Sequence, residues 1–233
     1  MRSSLRVVAQ RRGLRVIALV GVLLFWVGVF AAGAVVDGYS AREDYISSLA
    51  SRGSPVAVLG TAALLANATA QFATSRAVLI GWRSRTCAAF VFAAGLAMTG
   101  VAAFRASCPD GPAGCALDDG AASDWIDAVH GASVGGYELF TLAAMLTLTV
   151  GGFRKRSPLP RWLGLLSLAF AVGSVLLIGQ TEGEDIGMWQ RLWLANNLAW
   201  LLVVAWTTTG STSATPPSSP TSAPRSSASR TSP

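Results

Sequence analysis

Six apolar runs, each long enough to cross a bilayer, alternate along this chain with short polar connections. They cover approximately residues 16–36, 56–81, 86–104, 124–152, 162–180 and 188–208. A spanning helix needs about 20 predominantly apolar residues. In hydrocarbon the backbone must satisfy its own polar groups, which a helix does within one segment. The pattern therefore predicts an all-α fold: a six-transmembrane-helix bundle over residues 16–208. A basic N-terminal segment, residues 1–15, precedes it. Residues 209–233 are nearly all Ser, Thr, Pro and Ala, with Arg225 and Arg230. Such a composition cannot bury a core, so a disordered tail is expected there.

Composition sharpens this picture. The chain is 52% hydrophobic and only 13% charged, with a mean hydropathy of +0.49, whereas a soluble domain is about one-quarter charged. The six runs leave no room for a separate soluble domain. A net charge of +6 raises the question of nucleic acid. The basic residues, however, lie in short segments beside alternate apolar runs, which is the footprint of topology and not of a phosphate-binding face.

Arg2, Arg6, Arg11, Arg12 and Arg15 precede the first run, Arg83 and Arg85 follow the second, and Arg154, Lys155, Arg156 and Arg161 follow the fourth. The acids Asp37, Glu43 and Asp44 follow the first run, Asp110, Asp118 and Asp119 the third, and Glu182, Glu184 and Asp185 the fifth. The Lys/Arg bias assigns both termini to the cytoplasm. A basic segment before an apolar run also suggests a signal peptide. The run is longer than the roughly 7–15 residues of a signal core, so the expectation is an uncleaved first helix in a multi-pass plasma-membrane protein.

The connections carry detail. Ser40 and Glu43 have capping-box spacing, and Tyr45, Ile46 and Leu49 fall on one side of a helix. A short helix is expected after the first span, lying on the membrane surface or tucked against the bundle. Cys108 and Cys115 bracket Pro109, Gly111, Pro112 and Gly114 on the outward, oxidising side, and are expected to pair as a disulfide. Cys87 lies at the opposite end and reads as a packed thiol. Trp189 and Trp193 fit an aromatic belt.

Candidate chemistry centres on the fourth run. It contains Asp127, Glu138 and His130, the sole histidine. At 1.5 Å per residue His130 lies about 10 Å from the outer end and Glu138 roughly 20 Å in. Facing lipid would cost a charge about 2.5–3.5 kcal/mol, so these residues are expected to face inward. On the second run, Asn67, Gln71 and Thr74 form a polar stripe. Asn67 and Gln71 are the expected partners of Glu138, with Arg76 as a counter-ion. Asp44, Arg105 and Asn196 or Asn197 are expected near His130.

One histidine cannot supply bis-histidine haem ligation or a multi-histidine zinc site, and no metal or cofactor is expected. A Ser–His–Asp set could combine Ser47 or Ser48, His130, and Asp127 or Asp44. No G-x-S-x-G elbow supports it.

The first-loop pattern, Asp37-Gly-Tyr-Ser followed by Asp44-Tyr45-Ile46-Ser47-Ser48-Leu49, resembles an integral membrane family known as domain of unknown function 998. Asn67, the proline-bearing third loop and His130 early in the fourth span also match its arrangement. The resemblance covers residues 15–208 and implies a six-helix membrane architecture but no reaction. The leading expectation is a non-enzymatic membrane protein with an outward-facing pocket of Asn67, Gln71, His130, Glu138 and Asn197. That pocket would bind a small molecule, a lipid or a proton for transport or sensing. Two other readings stay open: a lipid-modifying enzyme with His130 as base or metal ligand, and a structural partner subunit.

Overall fold

A computed structural model describes residues 2–107, 125–154, 159–181 and 185–208. The expected Cys108–Cys115 disulfide and tail 209–233 lie outside these residues, as do Lys155, Arg156, Glu182 and Glu184. Among the described residues there are six α-helices, one 3₁₀ turn and no strand. The helices are α1 (Arg2–Val35), α2 (Ala57–Gly81), α3 (Arg85–Ala103), α4 (Trp125–Phe153), α5 (Arg161–Ile178) and α6 (Ile186–Thr207). Each packs on its neighbour in sequence, and α6 returns against α1 and α2. Four of them, α1, α3, α4 and α5, are long and apolar enough to cross a membrane by length and composition.

The other two, α2 and α6, have more polar sequences, and the fold explains why. Asn67, Gln71, Thr74, Ser75, Gln190 and Asn197 are all buried inside the bundle. The outward residues of α2 include Val58, Leu59, Ala62 and Leu65, and those of α6 are Leu192, Ala195, Ala199 and Trp206. Polar groups face inward, where most find partners although Asn67 Nδ2 and Thr74 Oγ1 have none among the described residues, and apolar groups face outward, the reverse of a soluble helix.

Close packing relies on small residues. A Cβ at Gly21 of α1 would lie 2.6 Å from the Ala66 carbonyl of α2, and one at Gly28 would lie 2.8 Å from Ala63 Cβ. The helices meet at backbone distance there, where dispersion and not hydrophobic transfer drives association in a bilayer.

The helix boundaries follow the apolar runs within a few residues, with one exception. α1 begins at Arg2 and not near Val16, because Arg, Leu, Val, Ala and Gln sustain a helix as well outside an apolar core as within it. Two of its arginines meet other helix ends. Arg11 Nη2 donates to the Ile80 carbonyl at 3.0 Å. Arg15 Nη2 donates to the Trp206 carbonyl at 3.4 Å and its guanidinium lies 4.1 Å from the Trp206 ring centroid. Both satisfy carbonyls in the last turns of α2 and α6, where the helix dipole favours a cation.

The loop element after α1 is a 3₁₀ turn, Ile46–Ala50, tucked against the bundle with Ile46, Leu49 and Ala50 buried. The capping box is half right. Ser40 Oγ accepts from Glu43 N at 3.3 Å, but the returning carboxylate is Asp44, which accepts from Ser40 N at 2.7 Å.

Candidate functional site

Glu138 is buried on α4 and contacts side chains of α5 and α6. Its Oε2 accepts from Trp193 Nε1 at 2.9 Å and from Asn197 Nδ2 at 3.1 Å. Its Oε1 lies 2.8 Å from Ser174 Oγ, and the same hydroxyl lies 2.8 Å from Asn197 Oδ1. Glu138, Ser174 and Asn197 thus form a closed three-membered ring, with the Trp193 indole as a fourth group.

The ring has a hydrogen deficit if the carboxyl is ionised. Three contacts require three hydrogens. One Ser174 hydroxyl hydrogen and one Asn197 amide hydrogen supply two. Reversing the Asn197 amide moves the deficit without removing it, because Oδ1 would then face Glu138 Oε2. Asn196 Nδ2, 3.4 Å from Asn197 Oδ1, also favours the amide with its nitrogen toward Glu138.

Asn67 and Gln71 do not partner Glu138, contrary to expectation. They sit beside the preceding residue: Gln71 Nε2 makes long contacts to the Tyr137 hydroxyl at 3.4 Å and to Asn67 Oδ1 at 3.5 Å. Successive residues of a helix point about 100° apart, so Tyr137 faces α2 while Glu138 faces α5 and α6. Arg76 is not its counter-ion; it is exposed on the outer surface of α2.

The end of the bundle that carries the first loop, called the outer end after the orientation expected from the basic residues, uses its polar residues differently. Asp127 Oδ1 and Oδ2 accept from Ser107 N at 2.7 Å and Ser107 Oγ at 2.6 Å, with Arg52 Nη2 at 3.8 Å. His130 Nδ1 lies 2.8 Å from the Phe104 carbonyl. A carbonyl only accepts, so Nδ1 carries the hydrogen. None of Asp44, Arg105, Asn196 and Asn197 is its partner. Ser47 lines a small cavity and Ser48 is buried in the 3₁₀ turn, while the hydrogen bond of His130 goes to the Phe104 carbonyl and not to Ser47, Ser48, Asp44 or Asp127.

Arg191 joins the first loop to α6. Its Nη1 donates to the Asp44 carbonyl at 3.0 Å and the Gly187 carbonyl at 2.7 Å, and its Nη2 donates to the Tyr39 hydroxyl. Burial pushes the Tyr39 phenol above its ordinary pKa, against the opposing pull of Arg191. Arg42 holds Asp185 through two hydrogen bonds, one of 3.1 Å. That contact keeps the Asp185 carboxyl below the usual aspartate range.

Beneath the 3₁₀ turn lies a cavity of 20 Å³, lined by Ser47, Val134, Tyr137, Gln190 and Trp193 among others. It has room for about one water. Its Trp193 wall also bonds Glu138. The Trp193 indole separates this space from the Glu138 carboxyl, which does not line it. His130 and Asn67 are not among its lining residues. Among the described residues, no three His, Cys, Asp or Glu side chains group as a metal site.

Two members of the centre were missed from sequence. Trp193 is 3% exposed, so it is an interior hydrogen-bond donor and not part of an aromatic belt. Its signal was the i, i+4 spacing with Asn197, which puts both on one face. Ser174 shares a face with Ser167 at i, i+7 on α5, and Ser167 Oγ accepts from Trp200 Nε1 at 3.1 Å. A pair of serines on α5 thus meets the Trp193–Asn197–Trp200 stripe of α6.

A bundle of apolar-faced helices around a buried carboxyl is the organisation of a helical membrane protein. A family model described as protein of unknown function (DUF998) matches residues 19–207, and the chain belongs to that family. No curated protein and no solved structure matches the chain.

Proposed function

We propose that this is a six-span plasma-membrane protein with both termini cytoplasmic, and that Glu138 is an intramembrane proton-holding group used in transport or sensing. The observation that carries the reading is the hydrogen deficit of the Glu138–Ser174–Asn197 ring. A hydrogen on Glu138 Oε1 completes it. Glu138 then donates to Ser174, Ser174 donates to Asn197 Oδ1, and Asn197 donates back to Glu138 Oε2. Trp193 and Asn197 both donate to Oε2, the remaining acceptor.

Intramembrane ionisable groups commonly mark ion or proton paths. Movement of this hydrogen out of the ring needs an acceptor outside it, which a rearrangement of the Trp193 and Asn197 side chains on α6 would have to open. The six-span topology is supported by the burial of the polar residues on α2 and α6 and by basic and acidic segments at opposite helix ends.

Infrared spectroscopy of the protein in lipid at neutral pH tests the centre. Wild type should show a protonated-carboxyl C=O band that disappears in Glu138→Gln. A spectrum without that band overturns the proposal. Proteoliposomes with an internal pH dye test use of the group: an imposed pH gradient should decay faster with wild type than with Glu138→Gln if transport is the role. A C-terminal tag labelled from outside intact cells would overturn the topology.

A further inference from the structure

We infer that the groove between α2 and α3, at the arginine-rich end, is a binding site for one anionic phospholipid. Its phosphate would sit between Arg76 and Arg85, with an acyl chain along the apolar wall toward Phe72 and Phe92.

The groove has a volume of 520 Å³ and is lined by Arg76, Arg85, Leu79, Ala88, Phe72 and Phe92 among others. Arg76 precedes the end of α2 at Gly81 by five residues, which is about 7.5 Å of helix, while Arg85 opens α3. Both are exposed. The outward positions before Arg76 are apolar, apart from Thr69, whose hydroxyl bonds the Leu65 carbonyl of its own helix at 2.8 Å. A cation below the end of a lipid-facing helix surface is costly unless its side chain snorkels to the interface, the level of the lipid phosphates, or reaches a counter-charge.

No protein group among the described residues supplies one. Arg11, Arg15 and Arg191 donate to carbonyls, while Arg42 and Arg52 approach acids at the other end of the bundle. Arg76 and Arg85 have neither kind of partner among the described residues. The groove's hydroxyl group, Ser75 Oγ, already donates to the Ala88 carbonyl at 2.7 Å. Its available polar chemistry is therefore two guanidinium groups, whose planar forks match phosphate oxygens. Phe72 and Phe92, with ring centroids 5.1 Å apart, stand at its apolar end. Two cations over an apolar slot complement a lipid with net negative charge better than a zwitterion, and basic interhelical pockets at the cytoplasmic face have that preference.

This rests on the helices lying in a bilayer but not on the role of Glu138. Full-length protein in neutral detergent is titrated with phosphatidylglycerol, with phosphatidylcholine as comparison, and bound lipid is counted by native mass spectrometry. Wild type should take up one phosphatidylglycerol in preference to phosphatidylcholine. The double variant Arg76→Gln/Arg85→Gln should bind it about tenfold or more weakly.

Arg83→Gln removes an exposed arginine from the same turn but outside the groove, and should leave binding unchanged. Ala89→Phe, which fills the slot without altering charge, should weaken binding if the chain lies in the groove. The proposal is overturned if the double variant binds like wild type, if Arg83→Gln weakens binding equally, or if Ala89→Phe has no effect.

Discussion

The outer end and the interior of this bundle hold similar side chains with different partners. At the outer end, Asp44, Asp127, His130, Gln190 and Arg191 all meet backbone groups: Ser40 N, Ser107 N, the Phe104 carbonyl, Ile46 N and the Asp44 carbonyl. Loops expose backbone donors and acceptors that no helix ladder satisfies. In the interior the helix N–H groups are already paired and only spare carbonyl lone pairs remain, such as the one Ser75 uses on Ala88, so an acceptor such as Glu138 must find its donors among side chains, here Ser174, Trp193 and Asn197. The outer residues organise connections. The inner ones form a self-contained polar centre whose hydrogen inventory depends on the state of a single carboxyl.

The strongest way to break that contrast is at Glu138. Glu138→Ala leaves the Trp193 and Asn197 donors without their acceptor and Ser174 Oγ without its donor, and should cost on the order of 3 kcal/mol or more. Glu138→Gln keeps an acceptor for Oε2 and places an amide donor where Oε1–H would stand, so its loss should stay within about 1 kcal/mol. Reversible denaturation in detergent measures both. If the two variants are equally damaging, the ring does not carry the extra hydrogen. Ser174→Ala should fall between them, at about 1–3 kcal/mol, because it strands Glu138 Oε1 and Asn197 Oδ1 together.

Outer substitutions should act locally. Asp127→Ala removes both acceptors from Ser107 and should cost about 1 kcal/mol. Its signature is faster hydrogen exchange at the Ser107 N–H, with α5 and α6 unaffected. Global unfolding would instead place Asp127 in the interior's cooperative unit.

The smallest effect concerns pH. Asp185 has a lowered pKa in the fold because Arg42 bonds its charged form. Its contribution is therefore present above the unfolded aspartate value, about 3.9, and is lost as pH falls through the lower folded value. Exchange of the Met188 N–H, which donates to the Arg42 carbonyl at 2.9 Å, should accelerate in that window relative to its intrinsic rate. In Arg42→Gln the acid step should vanish. An unchanged step would assign it to another carboxylate.

Much of the architecture was readable along the chain. Helices α2 to α6 start and stop within a few residues of the apolar runs, because bilayer thickness and loop polarity act on contiguous sequence. Glu138 was legible as an acid out of place in an apolar run. Its partners were not. Asn67 and Gln71 have the right depth, but depth along an axis does not set rotation about it. Tyr137, one residue earlier, takes that side of α4. Trp193 likewise reads as an interfacial aromatic until α6 is turned to bury it. His130, the rarest residue and the natural suspect, bonds a loop carbonyl.

The sequence by itself determined that the chain is helical, where its helices lie, and which of their ends are basic or acidic. These properties are sums over neighbouring residues. Only the tertiary structure decided that Glu138 meets Ser174, Trp193 and Asn197, and that Arg76 and Arg85 share one groove. Such contacts depend on how each helix is rotated and how closely small residues let it approach, and a few tens of degrees exchange one partner for another.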